Sequence, residues 1–140
     1  MSFLLDTNVV SELRKGPRCD AGVAAWLMRV SDDELFVSVL VLGEIRRGIE
    51  ALRRKDAPQA CALERWLDGL TATFAERVLP VTPRVAEEWG RLGAERTLPT
   101  IDGLLAATAR VHRLTLVSRD LRGVAGTEVP VFNPFTGRGN

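Results

Sequence analysis

FLLDTNVVSEL, residues 3–13, sets three apolar residues, Phe3-Leu4-Leu5, directly against a polar trio, Asp6-Thr7-Asn8, before apolar periodicity resumes. An apolar run without alternation is the mark of a strand covered on both faces, and such strands build parallel sheets. In an open parallel sheet, sites form just outside the C-terminal ends of the strands. A carboxylate at the end of the run therefore stands either in a turn or in a site, and the rest of the chain decides which.

Two further stretches repeat the pattern. LFVSV, residues 35–39, precedes a helical stripe of Leu42, Ile45, Ile49 and Leu52 that lasts to about Lys55, and LTLVS, residues 114–118, runs into Arg119-Asp120. Between the strands lie amphipathic segments. After a short helix through Val9 and Leu13 that stops at Lys15-Gly16-Pro17, Val23, Trp26, Leu27 and Val30 predict a helix ending near Ser31-Asp32-Asp33. Ala60, Leu63, Trp66, Leu67 and Leu70 predict another after Pro58. VLPVTP reads as strand and turn, a helix carries Val85, Trp89 and Leu92, and Pro99 starts one whose buried face holds Ile101, Leu104, Leu105 and Thr108. VPVF reads as a short last strand. Strands separated by helices predict an α/β fold, a three-layer α/β/α sandwich around a central parallel sheet.

The chain's 140 residues are expected to form one domain, 1–140, long enough for a real core. Hydrophobic content of 46% and charged content of 26% are ordinary for a soluble globular protein. A net charge of +1 provides no global field for nucleic acid, so any hold on a polyanion must come from local clusters. Cys19 and Cys61 are too few for a disulfide framework and lack ligand spacing, and a lone His112 argues against a zinc site. No secretory signal is legible, and the longest apolar run, around Leu35 to Gly43, is far short of a membrane span. A cytoplasmic setting without membrane attachment is expected.

Four acids fall near strand ends or helix starts. Asp6 follows the first strand and Asp120 the third; Glu44 is placed in the first turn of the helix after LFVSV, and Asp102 in the first turn after Pro99. Each has a plain explanation: a turn closed by Asp6, helix N-termini complemented by Glu44 and Asp102, a short turn capped by Asp120. Together they suggest more. Glu44 shares its helical face with Gly48 and Ala51, and Asp102 with Ala106 and Ala109, stripes where helices pack closely and water is limited. Two carboxylates about 5 Å apart repel by about 3 kcal/mol at an effective dielectric of about 20. No Lys lies nearby in sequence, so a hard divalent cation, Mg²⁺ or Mn²⁺, is the economical neutraliser.

Such a cation suits phosphate esters and hydrolysis by metal-activated water. The chain has no G-x-S-x-G, no P-loop and no glycine-rich phosphate cradle. His112 has no sequence-local partner. Arg53, Arg54 and Lys55 read as a solvated helix face, whereas Arg47, three residues after Glu44, and Arg119, beside Asp120, are candidates for the site rim. Trp26, Trp66 and Trp89 lie on apolar stripes, which favours core or interface packing over base stacking. A phosphoacceptor receiver domain would place a Lys after a late strand, where this chain has Arg119-Asp120. A haloacid-dehalogenase-type phosphatase needs an Asp two residues after the first, where this chain has Asn8.

Read together, LLDTNVVSEL, VSVLVLGEIRRGI, IDGLLAATA and TLVSRD, with the closing VFNPF, resemble the PIN-domain ribonucleases, in particular VapC toxins and their FitB-like relatives. The resemblance runs over nearly the whole chain. It implies a small α/β/α fold, an Mg²⁺- or Mn²⁺-dependent endonuclease acting on RNA, a homodimer, and inhibition by a small VapB-like antitoxin of a type II toxin–antitoxin pair. By position it implies Asp6, Glu44, Asp102 and Asp120 as a catalytic, metal-holding quartet, with Thr7, Asn8 and Ser118 as polar supports. One departure stands out. Members of the family often carry a further acid three residues after the position of Asp120, followed by an aromatic, where this chain has Gly123-Val124. The alternative on the same fold is a catalytically silent binding or regulatory module.

Overall fold

Leu4 and Leu5 have no exposed surface because their strand is the middle one of five. The computed structural model describes residues 1–136. Its strands are β1 (Phe3–Leu5), β2 (Leu35–Ser38), β3 (Val78–Leu79), β4 (Thr115–Val117) and β5 (Val131–Phe132), all parallel, in the order β3-β2-β1-β4-β5. Helices fill the connections: α1 (Thr7–Leu13) and α2 (Ala21–Leu27), α3 (Val39–Arg53) and α4 (Ala57–Phe74), α5 (Pro83–Glu95) and α6 (Thr100–His112). The result is a three-layer α/β/α sandwich, with α3 packed on α4 and α5 on α6.

Local chemistry sets the helix starts. Asp20 accepts from the Val23 amide at 3.0 Å, Ser38 from Leu40 at 3.0 Å, Asp56 from Gln59 at 3.1 Å and Thr82 from Val85 at 3.2 Å, each satisfying an amide that a helix N-terminus leaves unpaired. Pro58 and Pro83 sit in first turns, where a missing N–H costs nothing. Phe3, Leu4, Leu5, Val37, Leu116 and Val117 from the sheet meet Val10, Val41, Ile49, Val85, Leu105 and Ala106 from the helices in the buried core. Among the described residues no helix is long and apolar enough to cross a membrane.

The strands read from LTLVS and VPVF shorten to Thr115–Val117 and Val131–Phe132, and two further boundaries shift for reasons that side chains supply. Ser38 caps α3, so Val39 belongs to the helix and not to the strand. The stripe through Val30 does not stay helical, since α2 ends at Leu27. Trp26 is drawn inward, its ring edge-on to Phe3 at 5.1 Å and tilted against Phe132 at 5.8 Å. With that anchor made, the chain turns out at Met28, which is 88% exposed, and Val30 packs on the core from the loop.

Candidate functional site

The sheet order itself selects the crevice. From β1 the chain goes to β2 on one side, and from β3 it crosses over to β4 on the other, so the ends of β1 and β4 form a topological switch point. Leu5 pairs with Val117 there, and the Asp6 amide donates to the Val117 carbonyl at 2.9 Å, bringing Asp6 and Ser118 side by side. The two Asp6 oxygens have different partners. Oδ1 accepts from the Thr7 amide at 2.7 Å, the turn-closing role that starts α1. Oδ2 accepts from the hydroxyl of fully buried Ser118 at 2.7 Å. A carboxylate has about four acceptor positions, so Asp6 keeps lone pairs for a ligand.

The next two side chains of the polar trio reach across the site. Thr7 Oγ1 donates to Glu44 Oε1 at 2.5 Å, tying α1 to α3. Asn8 Nδ2 donates to Ser118 Oγ at 3.2 Å while Asn8 Oδ1 accepts the Arg119 amide at 3.1 Å. Thr7, Asn8 and Ser118 thus hold Glu44, Asp6 and the end of β4. Because Ser38 starts the helix early, Glu44 lies in the second turn of α3 and not in the first, so helix-terminus charge does not account for it. Its companions Gly48 and Ala51 are exposed, which overturns the close-packed stripe expected beneath it. The stripe beneath Asp102 does pack, with Ala106 and Ala109 buried.

Asp102 sits in the first turn of α6, half-buried. Burial first, then the negative charges of Asp6, Asp120 and Glu44, push its carboxyl above the ordinary value of 3.8. The structure therefore brings all four acids into one electrostatic neighbourhood. Gly123 closes in on Asp102: a Cβ there would lie 2.1 Å from Asp102 Oδ2.

Asp120 is already engaged by a basic side chain. Arg122 Nε and Nη2 each donate to it at 2.9 Å, and the Arg122 amide at 3.1 Å closes the short turn. This guanidinium holds the Asp120 carboxyl down to about 2. No Lys lies near these acids in sequence, and the neutralising partner of Asp120 is an arginine two residues on. Among the described residues no three His, Cys, Asp or Glu side chains stand so that all could hold one ion as they lie, so the expected four-acid clasp is not assembled. Asp120 is held by Arg122 instead. In kind the donor set fits a hard divalent cation: it is all oxygen, and burial together with neighbouring negative charge already raises Asp102.

The two basic candidates separate. The Arg119 guanidinium lies 4.1 Å over the Phe135 ring, beside Asp120 but pinned to an aromatic. Arg47 lines a different hollow, with Glu50, Ala51, Arg54 and Lys55 on the outer side of α3. His112 is exposed in the last turn of α6, the end away from Asp102. Trp26 is core, Trp66 is partly buried, and Trp89 is 40% exposed with its indole against Gly103.

Two supporting residues, Glu12 and Asn133, were given no role from sequence. Glu12 is buried on α1, where it accepts from Lys15 Nζ at 2.6 Å and the Asp20 amide at 2.8 Å. Burial works against its charge, but these bonds, with the positive charges of Lys15 and Arg119, hold its carboxyl below the ordinary value. Asn133 donates to the Arg119 carbonyl at 3.2 Å and accepts the Phe135 amide at 2.9 Å, which seats the ring under Arg119. The Asn-Pro-Phe stretch was a visible signal; Glu12 had its i,i+3 partner Lys15 close in sequence, but nothing along the chain marked it as buried.

A family model described as PIN domain matches residues 3–125. Toxin FitB of Neisseria gonorrhoeae is 32% identical over 138 residues, spanning 95% of this chain and 98% of that protein. The protein named VapC ribonuclease Y4jK of Sinorhizobium fredii is 28% identical over 139 residues, spanning 95% and 97%. The crystal structure of FitAcB from Neisseria gonorrhoeae superposes with a TM-score of 0.85 at 31% identity, covering 94% of this chain and 97% of that one. With the parallel sheet, the switch-point crevice and the acids gathered there, these likenesses show that the chain belongs to the PIN domain family, on its FitB and VapC side.

Proposed function

We propose that this chain is a metal-dependent endoribonuclease and the toxin of a type II toxin–antitoxin pair, working as one PIN domain in the cytoplasm. The observation that carries the proposal is the gathering of acids at the switch point: Asp6 beside Ser118, Glu44 tied in through Thr7, and Asp102 raised by burial and by the charges of Asp6, Asp120 and Glu44. Relatives named as a toxin and as a ribonuclease, matched over nearly their full length, support it.

Asp6, Glu44 and Asp102 are the residues that would hold Mg²⁺ or Mn²⁺, with Asp120 joining once released from Arg122. When bound, such an ion polarises a phosphoryl oxygen and lowers the pKa of a water molecule, the two needs of phosphodiester hydrolysis. The protein's part is orientation. Ser118 holds Asp6 Oδ2, Thr7 holds Glu44, and Asn8 bridges Ser118 to the Arg119 backbone. A side chain whose rotamer is locked by such bonds loses little freedom when a ligand arrives. Arg119 and Arg47 are assigned weaker roles at the substrate rim, and a homodimer and a VapB-like antitoxin complete the expected assembly.

The deciding experiment is an RNase assay with Mg²⁺, with Mn²⁺ and with EDTA, comparing wild type with Asp6→Asn. Cleavage that needs the ion and drops at least about a hundredfold in the variant supports the mechanism. Cleavage that survives EDTA, or is unchanged in Asp6→Asn, removes it; partner binding without RNA turnover under any metal condition favours the silent module. The toxin role predicts growth arrest on expression alone, relieved by a small neighbouring open reading frame.

A further inference from the structure

Asp120, alone of the four acids, lines a cleft of about 610 Å³ together with Arg119, Leu121, Arg122, Ala125 and Asn133. Two arginines border it, and they are held very differently. Arg119 is committed: its guanidinium lies 4.1 Å over Phe135, its amide donates to Asn8, and its carbonyl accepts from Asn133. The Arg122 guanidinium has one partner among the described residues, Asp120, through two parallel bonds of 2.9 Å. The Arg122 side chain is 91% exposed and that of Asp120 52%.

An ion pair this exposed contributes little to stability, because water solvates both partners nearly as well apart. Its geometry is nonetheless specific. A guanidinium fork reads a pair of anionic oxygens on one centre, and a phosphodiester presents such a pair much as a carboxylate does. Arg122 is therefore a preformed fork whose present occupant is easily displaced. That occupant is one of the four acids, and its charge already reaches Asp102.

Resting on the nuclease reading for the identity of the ligand, we propose that Arg122 is the phosphate-gripping residue of this cleft. When single-stranded RNA enters, the guanidinium exchanges the Asp120 carboxylate for the oxygens of a backbone phosphate. Asp120 is thereby freed to turn toward Asp6, Glu44 and Asp102. Substrate binding and completion of the acidic site are then one exchange of partners.

The test is binding of a short, labelled single-stranded oligoribonucleotide in EDTA, followed by fluorescence anisotropy across a salt series. Wild type is compared with Arg122→Gln, Asp120→Asn, the double variant, and, as a charge control, Arg84→Gln in the first turn of α5, which shares a hollow with Arg110 and Arg113 at the C-terminal end of α6. Arg122→Gln is expected to weaken binding about three- to tenfold and to flatten the log–log salt slope by about 0.7, the value for one lost single-strand phosphate contact. Asp120→Asn is expected to tighten binding about threefold, a gain that vanishes when Arg122 is also replaced. Arg84→Gln is expected to change affinity less than about twofold.

Equal binding by Arg122→Gln and Arg84→Gln overturns the proposal. So does an Asp120→Asn gain that persists without Arg122, which is a general charge effect, and so does a wild type that does not bind. A parallel cleavage assay with Mn²⁺ keeps the two ideas apart. Cleavage with no Arg122 effect on binding removes this inference alone; the expected binding pattern without cleavage removes the nuclease reading and leaves a phosphate site.

Discussion

The hydroxyl of Ser118, wholly buried at the end of β4, donates to Asp6 Oδ2 at 2.7 Å across the junction with β1. The same oxygen accepts from Asn8 Nδ2 and from the Asp120 amide, each at 3.2 Å. The Ser118 oxygen thus joins two segments, 6–8 and 118–120, that meet only because β1 and β4 are neighbours in the sheet.

Ser118→Ala removes that atom and leaves Asp6, Asn8 and the Asp120 amide each short of a partner. Stability is expected to fall by about 1–3 kcal/mol, the usual loss when buried polar groups are orphaned, as a lower midpoint in thermal or urea unfolding. RNA cleavage is expected to fall further than stability explains at a temperature where the variant is fully folded. Full activity in a folded Ser118→Ala protein would show that Asp6 needs no such support.

Thr7→Val keeps the shape of the side chain and deletes the hydroxyl that donates to Glu44 at 2.5 Å. Thr7 is half-buried, so the expected cost in stability is small, about 1 kcal/mol. The prediction is a kinetic one. Cleavage at saturating RNA should drop about tenfold with KM little changed, since Thr7 orients a carboxylate and does not face the substrate.

Asp102 carries a stability penalty in the metal-free protein. Its carboxyl is raised above 3.8 by burial and by its acidic neighbours, so the folded state holds the proton more tightly than the unfolded chain does. Between the unfolded and folded values, stability falls as pH rises, and the penalty is complete at neutral pH. Asp102→Asn is therefore expected to melt about 2 °C higher than wild type in EDTA at pH 7, an advantage that shrinks as pH falls toward 3.8. Added Mn²⁺ should raise the melting temperature of wild type and not of the variant. A variant less stable than wild type at pH 7 would contradict the repulsion.

Gly123→Ala sets a Cβ 2.1 Å from Asp102 Oδ2, so the carboxylate or the turn has to move. Cleavage is expected to fall about tenfold or more. Gly69→Ala, on α4 with nothing within 4 Å of its added Cβ, should leave cleavage unchanged and serves as the control. Equal activity in both variants would show that the turn yields and Asp102 does not need its present seat.

Much of the molecule is legible along the chain because the determining interactions are local or periodic. Phe3-Leu4-Leu5, Leu35 to Ser38 and Leu116-Val117 read as buried strands since their residues are apolar without alternation. Pro58, Thr82-Pro83 and Pro99 mark helix starts by backbone chemistry alone. Asp6 and Asp102 fall where a strand ends and a helix begins, positions that neighbouring residues define. The reading loses ground where a boundary depends on a contact across the fold. Trp26 stops α2 early by packing on Phe3 and Phe132, and Ser38 shifts Glu44 by a turn because its side chain caps α3.

By itself, then, the sequence determined the layered fold, the order of its elements and the residue types that meet at the end of the sheet. Only the tertiary structure decided which of those residues hold one another. The hydrogen bond from Ser118 to Asp6 spans 112 positions and that from Asn8 to Ser118 spans 110. Side-chain direction is fixed by packing and by competing partners in three dimensions, and neither is encoded in the spacing of residues along the chain.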